Sequence, residues 1–323
     1  MISAVISRLA QTFLLIFGVS VLAFLLIDLA PGKYLEEMRL NPQISQRTLA
    51  AIRTEYGLDR PLTVRYALWL RSVARGELGF SFAYNSPVWP LLKTRALNTL
   101  ILSVTALLCS WLIAIPAGIL AAVRVGRWPD RISAVSTAFL LATPDVLVGL
   151  VLLAFALHTG WFPAGGMHAP ASTETDWLAH VKDLLVHLVL PVTALTLGAL
   201  PVLVRHVRSA MLDVLTSPFI LATRGHGISR ARMLFRHALP AAANPLISLL
   251  GVSIGTLLSA SLLIEVIMGW PGVGPMLLQA VLERDPYLVI AAIMFSTLFL
   301  IAGNLMADTL LYVVDPRIRR TES

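Results

Sequence analysis

Six apolar runs dominate this sequence, and each is close to the length that an α-helix needs to cross a lipid bilayer. They lie at about 9–27, 97–123, 132–157, 184–204, 245–267 and 288–312. A span needs roughly 20 apolar residues, and hydrocarbon offers no partner for backbone hydrogen bonds, so the runs must be helices. Only 13% of the residues are charged, against about 25% in soluble domains. The sequence therefore predicts an all-α integral membrane protein with six transmembrane helices.

The first run is predicted to be a membrane span that is not removed. It is longer than the roughly 7–15 residues of a signal-peptide core, and the LIDLAPG that ends it offers no small-x-small cleavage site. Residues 1–30 then form the first transmembrane helix and 31–95 an extracytoplasmic region. The membrane core covers 96–315, with a cytoplasmic loop at 205–243, and 316–323 form a cytoplasmic tail.

The extracytoplasmic region is too polar to span a membrane, but it contains two amphipathic patterns. Ser45 can cap a helix whose apolar face holds Leu49, Ile52 and Tyr56. A second helix, introduced by Asp59-Arg60-Pro61 and ended by Gly76, would place on one face Leu62, Tyr66, Trp69, Leu70 and Val73. Such helices either lie on the membrane surface or pack against the spans. Their mixed charges favour packing, because surface helices usually carry a basic face.

The distribution of positive charge predicts that both ends of the chain are cytoplasmic. With that orientation, the cytoplasmic segments hold 13 of the 25 lysines and arginines, whereas the loops 158–183 and 268–287 hold only Lys182 and Arg284. Membrane proteins keep lysine and arginine in their short cytoplasmic loops. The same bias explains the net charge of +7 without nucleic-acid binding.

The loop between the fourth and fifth spans is basic, and it contains start and stop signals for short helices. Ser217 and Pro218 predict a helix start, with a hydroxyl cap and a proline at the first helical position. Gly225 and Gly227 would end that helix after about two turns. A short helix with small residues, held between two spans, is suited to contact with another protein.

A second short helix is predicted to follow in the same loop. Ser229 can cap it, and its basic side chains are Arg230, Arg232, Arg236 and His237. Pro240 then stops or kinks the helix, because proline has no N–H and its ring clashes with the preceding turn.

Motifs for catalysis and for metal or nucleotide binding are missing from the sequence. GxxxxGK[ST], HExxH, GxSxG and CxxC do not occur, and Cys109 is the single cysteine. His158, His168 and His180 lie in or beside one outer loop, and His187 starts a span. The outer-loop histidines are predicted to be solvated rather than metal ligands, because the spacing of the histidines is irregular. We expect no enzyme activity, no metal site and no bound cofactor.

Polar residues at membrane depth are candidates for a translocation path, because ionisable groups are costly there. Asp145 follows Pro144 in the middle of the third span, where a kink can open the helix onto a cavity. Glu265 and Asn304 lie in the fifth and sixth spans. Asp145 would either line a substrate path or contact another helix, and Glu265 and Asn304 are further candidates for the path.

Motifs along nearly the whole chain resemble the inner-membrane permeases of bacterial ABC importers. They are YGLDRP at 56–61, RGELGFS at 75–81, AIPAGILAA at 114–122, HLVLP at 187–191, RSAMLDVL at 208–215, EVIMGWPGVG at 265–274 and DTLLYVVDPRIR at 308–319. Within these permeases, the chain is most similar to the dipeptide, oligopeptide and nickel group, and specifically to the oligopeptide-type first permease.

The cytoplasmic signature of these permeases, called the EAA loop, is Glu-Ala-Ala, three residues, Gly, nine residues and Ile-x-Leu-Pro. Four positions match it in register: Ala222, Gly227, Leu239 and Pro240. Three positions depart from it: Leu221 replaces the glutamate, Thr223 the second alanine and His237 the isoleucine. His226 stands where lysine is common in this subgroup.

The resemblance implies a type I ABC importer permease fold in the bacterial inner membrane. It also implies a second homologous permease, one or two ATPase subunits that bind ATP and Mg²⁺, and an extracytoplasmic solute-binding protein. The implied ATPase-coupling helix comprises Leu221, Ala222, Thr223, Arg224, Gly225, His226 and Gly227. The residues implied to support it are Ser217, Pro218, Ser229, Arg236, Leu239 and Pro240. The missing P-loop agrees with a separate ATPase, and the loop arginines can pair with that partner or with membrane lipid.

The function expected from the resemblance is import of dipeptides or oligopeptides driven by partner ATPases. Nickel or another small solute is the alternative cargo within the same group. An ion-coupled secondary transporter that uses Asp145 is a different class of protein, and a structural membrane scaffold is a third. The secondary transporter lacks support because the sequence has no acid–base relay and no second, similar half.

Overall fold

Helices account for most of the computed structural model, which describes residues 2–29, 60–169, 177–225 and 228–314, without the side chains of residues 2–9 and Arg224. The helices are α1 (Ile2–Leu29), α2 (Leu62–Val73), α3 (Val88–Val123), α4 (Trp128–Ala142), α5 (Asp145–Thr159), α6 (Trp177–Leu215), α7 (Pro218–Gly225), α8 (Arg230–Met233), α9 (Leu239–Ala241), α10 (Ala243–Ile267), α11 (Val273–Leu282) and α12 (Pro286–Val314). A π-helical turn, Leu234–Ala238, joins α8 to α9, and β1 (Phe80–Ser81) pairs antiparallel with β2 (Ser86–Pro87). The helix predicted around Ser45 and the tail 316–323 lie outside the described residues.

Five of the described helices are long and apolar enough to cross a membrane, and a sixth span results if α4 and α5 count as one. This agrees with the all-α membrane fold that the sequence predicts. The third span is not the single helix expected over 132–157, because α4 and α5 meet at 94°. Thr143 and Pro144 form the break, and both have extended ψ values. Pro144 favours this break because its ring disfavours helical geometry in the residue before it.

The other prolines at membrane depth do not break their helices. Pro116 lies within α3, and Pro191 and Pro201 lie within α6, which runs for 39 residues. A proline leaves one carbonyl without its usual helical partner, and membrane helices tolerate this where neighbouring groups compensate. Of these four prolines, only Pro144 therefore lies at a change of direction.

The described chain forms two compact units. The first comprises Ile2–Asn98 and Pro271–Leu298, and the second comprises Thr99–Trp270 and residues 299–314.

In the first unit, α2 packs against α1 through aromatic rings. Phe24 of α1 contacts the rings of Tyr66 and Trp69, each with a centroid distance of 5.3 Å. An ion pair of 3.0 Å between Arg65 and Asp28 fixes the other side of the contact. Of the two alternatives for α2, packing on a span is therefore correct. Leu70, predicted on the packed face, is exposed instead.

The β-hairpin of the first unit is held by a buried carboxylate. Asp285 Oδ2 accepts hydrogen bonds from Ser81 Oγ at 2.6 Å and from the Ala83 N–H at 3.1 Å. Its Oδ1 accepts from the Leu288 N–H at 3.2 Å, in the first turn of α12. Asp285 therefore caps α12 and fixes the hairpin at the start of that helix.

In the second unit, α6 is the central helix and packs against α4, α5 and α10. One of its apolar clusters lies around Leu195, Ile254 and Trp270, and a second lies around Met211 and Ile220. The second cluster joins α6 to the short helices of the loop that follows it, so the core of the unit fixes the position of that loop.

Candidate functional site

The helix α7 spans the eight residues Pro218–Gly225, and one face of it is anchored in the core of the second unit. Ile220 is fully buried and belongs to the same cluster as Met211 and Met233. Thr223 is 8% exposed, and its hydroxyl donates to the Phe219 carbonyl at 2.8 Å. The i, i+3 spacing of Ile220 and Thr223 places both on the inner face. This face holds the helix against α6 and α8.

The opposite face of α7 is exposed and mostly apolar. Phe219 and Leu221 are 54% and 55% exposed, and Ala222 and Gly225 are exposed beside them. Two large apolar side chains next to two small residues allow a close approach by another backbone. Because the inner face is anchored, a force applied to the outer face is transmitted to α6. The arrangement therefore suits mechanical contact with a partner.

The hydroxyl caps predicted in this loop are not formed. Ser217 Oγ donates to the Val214 carbonyl at 2.6 Å, so it bonds to the end of α6, and the Ser217 carbonyl accepts the first bonds of α7. Ser229 precedes α8 without a side-chain cap, and its carbonyl accepts from the Met233 N–H at 2.9 Å. Pro218 does occupy the first position of α7, as predicted.

The basic helix of this loop ends at Ala241, one residue after Pro240, where the sequence predicted that it would stop or kink. A π-helical turn over Leu234–Ala238 precedes α9, and Pro240 lies inside α9. The wider i to i+5 hydrogen bonding of a π-turn makes room for a residue that lacks an N–H. In this segment Arg236 is exposed and Leu239 packs against the apolar cluster. The His237 ring contacts that of Phe219 at 6.3 Å, edge to face, which connects the π-turn to α7.

Part of the predicted coupling helix lies outside the described residues. His226 and Gly227 are among those not described, and the side chain of Arg224 is not described either. Gly225 ends α7 as predicted, although it does so as the last helical residue rather than in a left-handed cap. The contacts that are described therefore cover Leu221, Ala222, Thr223 and Gly225.

Asp145 lies at the break between α4 and α5, as the first residue of α5. Its carboxylate rests directly on α6 at Gly198, where an added Cβ would meet Oδ1 at 2.4 Å. Glycine leaves room for the carboxylate in this position, and a larger residue would require it to move. The kink at Pro144 therefore directs a polar group toward the backbone of the central helix.

A cavity of about 150 Å³ adjoins this carboxylate. Its walls come from Asp145 and from one face each of α6 and α10: Leu195, Gly198, Ala199, Val202, Leu203, Leu249, Val252, Ser253, Thr256, Leu257 and Ala260. The two hydroxyl groups are already engaged, since Ser253 donates to Leu249 O at 2.6 Å and Thr256 donates to Ser253 O at 3.1 Å. Asp145 is the one ionisable group among these lining residues. The cavity can therefore hold a small group with a cationic end.

The structure does not bring the other two candidates for a path to this cavity. Glu265 is fully buried near the end of α10, where its carbonyl accepts from the Trp270 N–H at 2.9 Å. Asn304 lies on α12 beside Gly251 of α10, where an added Cβ would meet its Oδ1 at 3.2 Å. Both positions are contacts between neighbouring segments of the chain, and only Asp145 lines the cavity.

A polar cluster near the start of α6 was not predicted. Asp183 Oδ1 lies 3.2 Å from Nδ1 of His187, and Asp183 Oδ2 lies 3.2 Å from Nδ1 of His168. Oδ2 also accepts from the Ala169 N–H at 3.0 Å. His187, which starts the span, is buried, whereas the outer-loop His168 is exposed. The i, i+4 spacing of Asp183 and His187 was the available signal. Among the described residues, no group of three or more His, Cys, Asp or Glu side chains is arranged to hold a metal ion.

Comparison with known proteins places these features in one family. A family model described as binding-protein-dependent transport system inner membrane component matches residues 114–320, and the model for the N-terminal part of such components matches residues 1–103. The oligopeptide transport system permease protein AppB of Bacillus subtilis is 33% identical over 98% of this chain and 99% of its own length. The glutathione transport system permease protein GsiC of Escherichia coli K12 is 31% identical over 99% of both chains.

Solved structures show the same fold. The permease chain in an inward-facing structure of the MetNI methionine ABC transporter aligns with a TM-score of 0.56, at 19% sequence identity, over 70% of this chain and 96% of that one. This likeness supports the type I importer permease fold. The family matches cover nearly the whole chain, which belongs to the binding-protein-dependent transport system inner membrane components, the permeases of ABC importers.

Proposed function

We propose that this chain is one of two permease subunits of an ATP-driven peptide importer, oriented with both termini in the cytoplasm. The relatives that it matches over nearly their full length carry oligopeptide and glutathione transport names, which supports a peptide cargo. A homologous permease completes the path, one or two ATPase subunits bind ATP and Mg²⁺, and an extracytoplasmic protein delivers the peptide. The chain itself binds no nucleotide and catalyses no reaction.

The observation that carries this proposal is the division of α7 into an anchored and an exposed face. Ile220 and Thr223 fix the helix to the core of the second unit, whereas Leu221 and Ala222 are free to enter a groove on an ATPase subunit. Closure of the ATPase pair upon ATP binding would move α7 and, through Ile220, α6. ATP then shifts the transporter between inward- and outward-open states through its different affinity for the two.

The cavity beside Asp145 is proposed to be part of the translocation path. A carboxylate in an apolar cavity at membrane depth attracts a cation, because the low dielectric strengthens the interaction and water solvates the charge poorly. A peptide with a free amino terminus carries such a cation. Asp145 would accept hydrogen bonds from that ammonium group as the peptide passes between α6 and α10.

The coupling role is tested by replacing Ala222 with tryptophan. Ala222 is exposed, so the larger side chain should point away from the described core and leave the fold unchanged. We expect the complete transporter to lose most peptide uptake and most peptide-stimulated ATPase activity, because the indole blocks a close helix contact. Co-purification with the ATPase subunits should fall in parallel.

The matched control is Ala74→Trp, an equal increase in size at an exposed alanine just after α2. It should leave uptake and ATPase activity at the wild-type level. Wild-type coupling in Ala222→Trp, or an equal loss in both variants, would contradict the assignment of α7 as the coupling helix.

A further inference from the structure

A large basic hollow of about 1170 Å³ lies at the end of the second unit that carries α7. It is enclosed by the turn between α3 and α4, the last turn of α6 and the segment around α8. Its charged lining consists of Arg124, Arg127, Arg131 and Arg230. All four side chains are exposed, and none forms an ion pair with any described residue. None of the described residues of α7 lines this hollow.

The Asp130 carboxylate beside this turn is already neutralised by an arginine. Asp130 is buried at the start of α4, and its Oδ1 and Oδ2 accept from Arg208 Nε at 2.6 Å and Arg208 Nη2 at 3.0 Å. Oδ2 also accepts from the Gly126 N–H at 2.9 Å, and Gly126 has a positive φ of 73°. Asp130 therefore shapes the turn that presents the arginines without cancelling their charge. No acidic residue lines the described walls of the hollow.

The rest of the lining is apolar. Val123 ends the span α3, Trp128 begins α4, and Leu212 and Leu215 end α6. Trp128 is 78% exposed, at the position where tryptophan favours the boundary between lipid and water. The hollow therefore lies at the depth of lipid headgroups, with arginines on its polar side and the ends of membrane helices on its apolar side.

We propose that this hollow binds an anionic phospholipid, with the headgroup phosphate held by Arg124, Arg127 and Arg131. Planar guanidinium groups pair with phosphate oxygens through two parallel hydrogen bonds. Basic pockets at the ends of membrane helices are suited to such headgroups. An acidic surface of a partner protein would satisfy the arginines but would leave the apolar wall without acyl chains to cover it. The lipid satisfies both halves of the lining.

The experiment titrates phosphatidylglycerol and phosphatidylcholine onto the purified full-length chain and counts bound lipids by native mass spectrometry. The triple variant R124Q/R127Q/R131Q should lose about a hundredfold in preference for phosphatidylglycerol, at about fivefold for each arginine near the surface. The loss should shrink as ionic strength rises. The matched control R60Q/R71Q/R75Q removes the same charge from exposed positions around α2 and should keep the preference. If the triple variant does not fold, the single variant R127Q replaces it and should lose about fivefold in preference for phosphatidylglycerol.

Three results would overturn the proposal. The first is an unchanged lipid preference in the folded loop variants, and the second is an equal loss in the control variant. The third is displacement of the lipid by glycerol phosphate at equal concentration, which would show a site for free phosphate. If the triple variant keeps its lipid but no longer co-purifies with ATPase subunits, the hollow is a protein contact and the lipid assignment is wrong.

Discussion

Replacing Gly198, which contacts Asp145, should affect the stability of the protein and its transport activity to different extents. In Gly198→Ala the new methyl carbon would lie 2.4 Å from Asp145 Oδ1, whereas ordinary contacts begin at 3.4 Å. The difference requires the carboxylate to move by about 1 Å, and it can do so because it is the free end of a side chain. Alanine favours the interior of α6 by about 1 kcal/mol over glycine, while the displaced carboxylate loses roughly 0.3–1 kcal/mol at the start of α5. These terms nearly cancel.

The free energy of unfolding of Gly198→Ala should therefore stay within about 1 kcal/mol of the wild type, which moves Tm by no more than about 4 °C. Transport should respond more strongly. If Asp145 accepts a charge-assisted hydrogen bond from the peptide ammonium, losing it weakens apparent affinity by about 1.5–3 kcal/mol, or roughly 10- to 150-fold. The assay is uptake of trialanine into proteoliposomes that contain the complete transporter, over a range of peptide concentrations, with Asp145→Asn for comparison.

The matched control is Gly255→Ala, where the added methyl meets the flexible end of Leu300 at 2.3 Å. That contact is equally close but involves no charge, so uptake should remain near the wild-type level. N-acetylated trialanine, which has no ammonium group, should respond little to Gly198→Ala. The reasoning is refuted if Gly198→Ala imports trialanine like the wild type, or if the control variant loses uptake to the same extent.

Two further predictions concern buried carboxylates outside the proposed path. Asp130→Asn removes the partner of Arg208 and should lower the free energy of unfolding by about 3 kcal/mol, measured by thermal unfolding in detergent, whereas Arg208→Lys should cost less because the charge is kept. Asp285→Asn leaves one carbonyl oxygen for two N–H donors on opposite sides, those of Ala83 and Leu288, and should cost about 1–3 kcal/mol. Faster hydrogen exchange confined to the hairpin and the start of α12 would locate that second effect, and unchanged exchange would contradict it.

The membrane fold could be predicted from the sequence because its physical cause is local. A run of apolar residues must form a helix wherever it crosses hydrocarbon, so composition and length were sufficient for the spans. The apolar face of α2 could also largely be predicted, because Tyr66 and Trp69 recur at helical spacing and contact Phe24. The exposed Leu70 shows the limit of that method, because α1 covers only part of the apolar stripe.

The features that could not be predicted depend on contacts with neighbouring parts of the fold. Pro144 indicated a kink, but the 94° angle is set by how α4 and α5 each pack on α6. The hydroxyl oxygen of Ser217 was expected to accept a hydrogen bond from the first turn of α7, yet the hydroxyl donates to the Val214 carbonyl at the end of α6 instead. The approach of Asp145 to Gly198 joins residues 53 positions apart in the sequence. Neither residue by itself indicated the other.

The residues of the predicted coupling loop that depart from the signature differ in how exposed they are. Thr223, which stands for an alanine of the signature, points into the core and satisfies its own hydroxyl on the Phe219 carbonyl, so a partner protein does not meet it. Leu221, which stands for the glutamate, lies on the exposed face. If α7 docks as proposed, an ATPase subunit meets an apolar side chain where the signature offers a carboxylate. A basic group placed in the groove to pair with that carboxylate would be left desolvated, so the partner groove is expected to be apolar at this point.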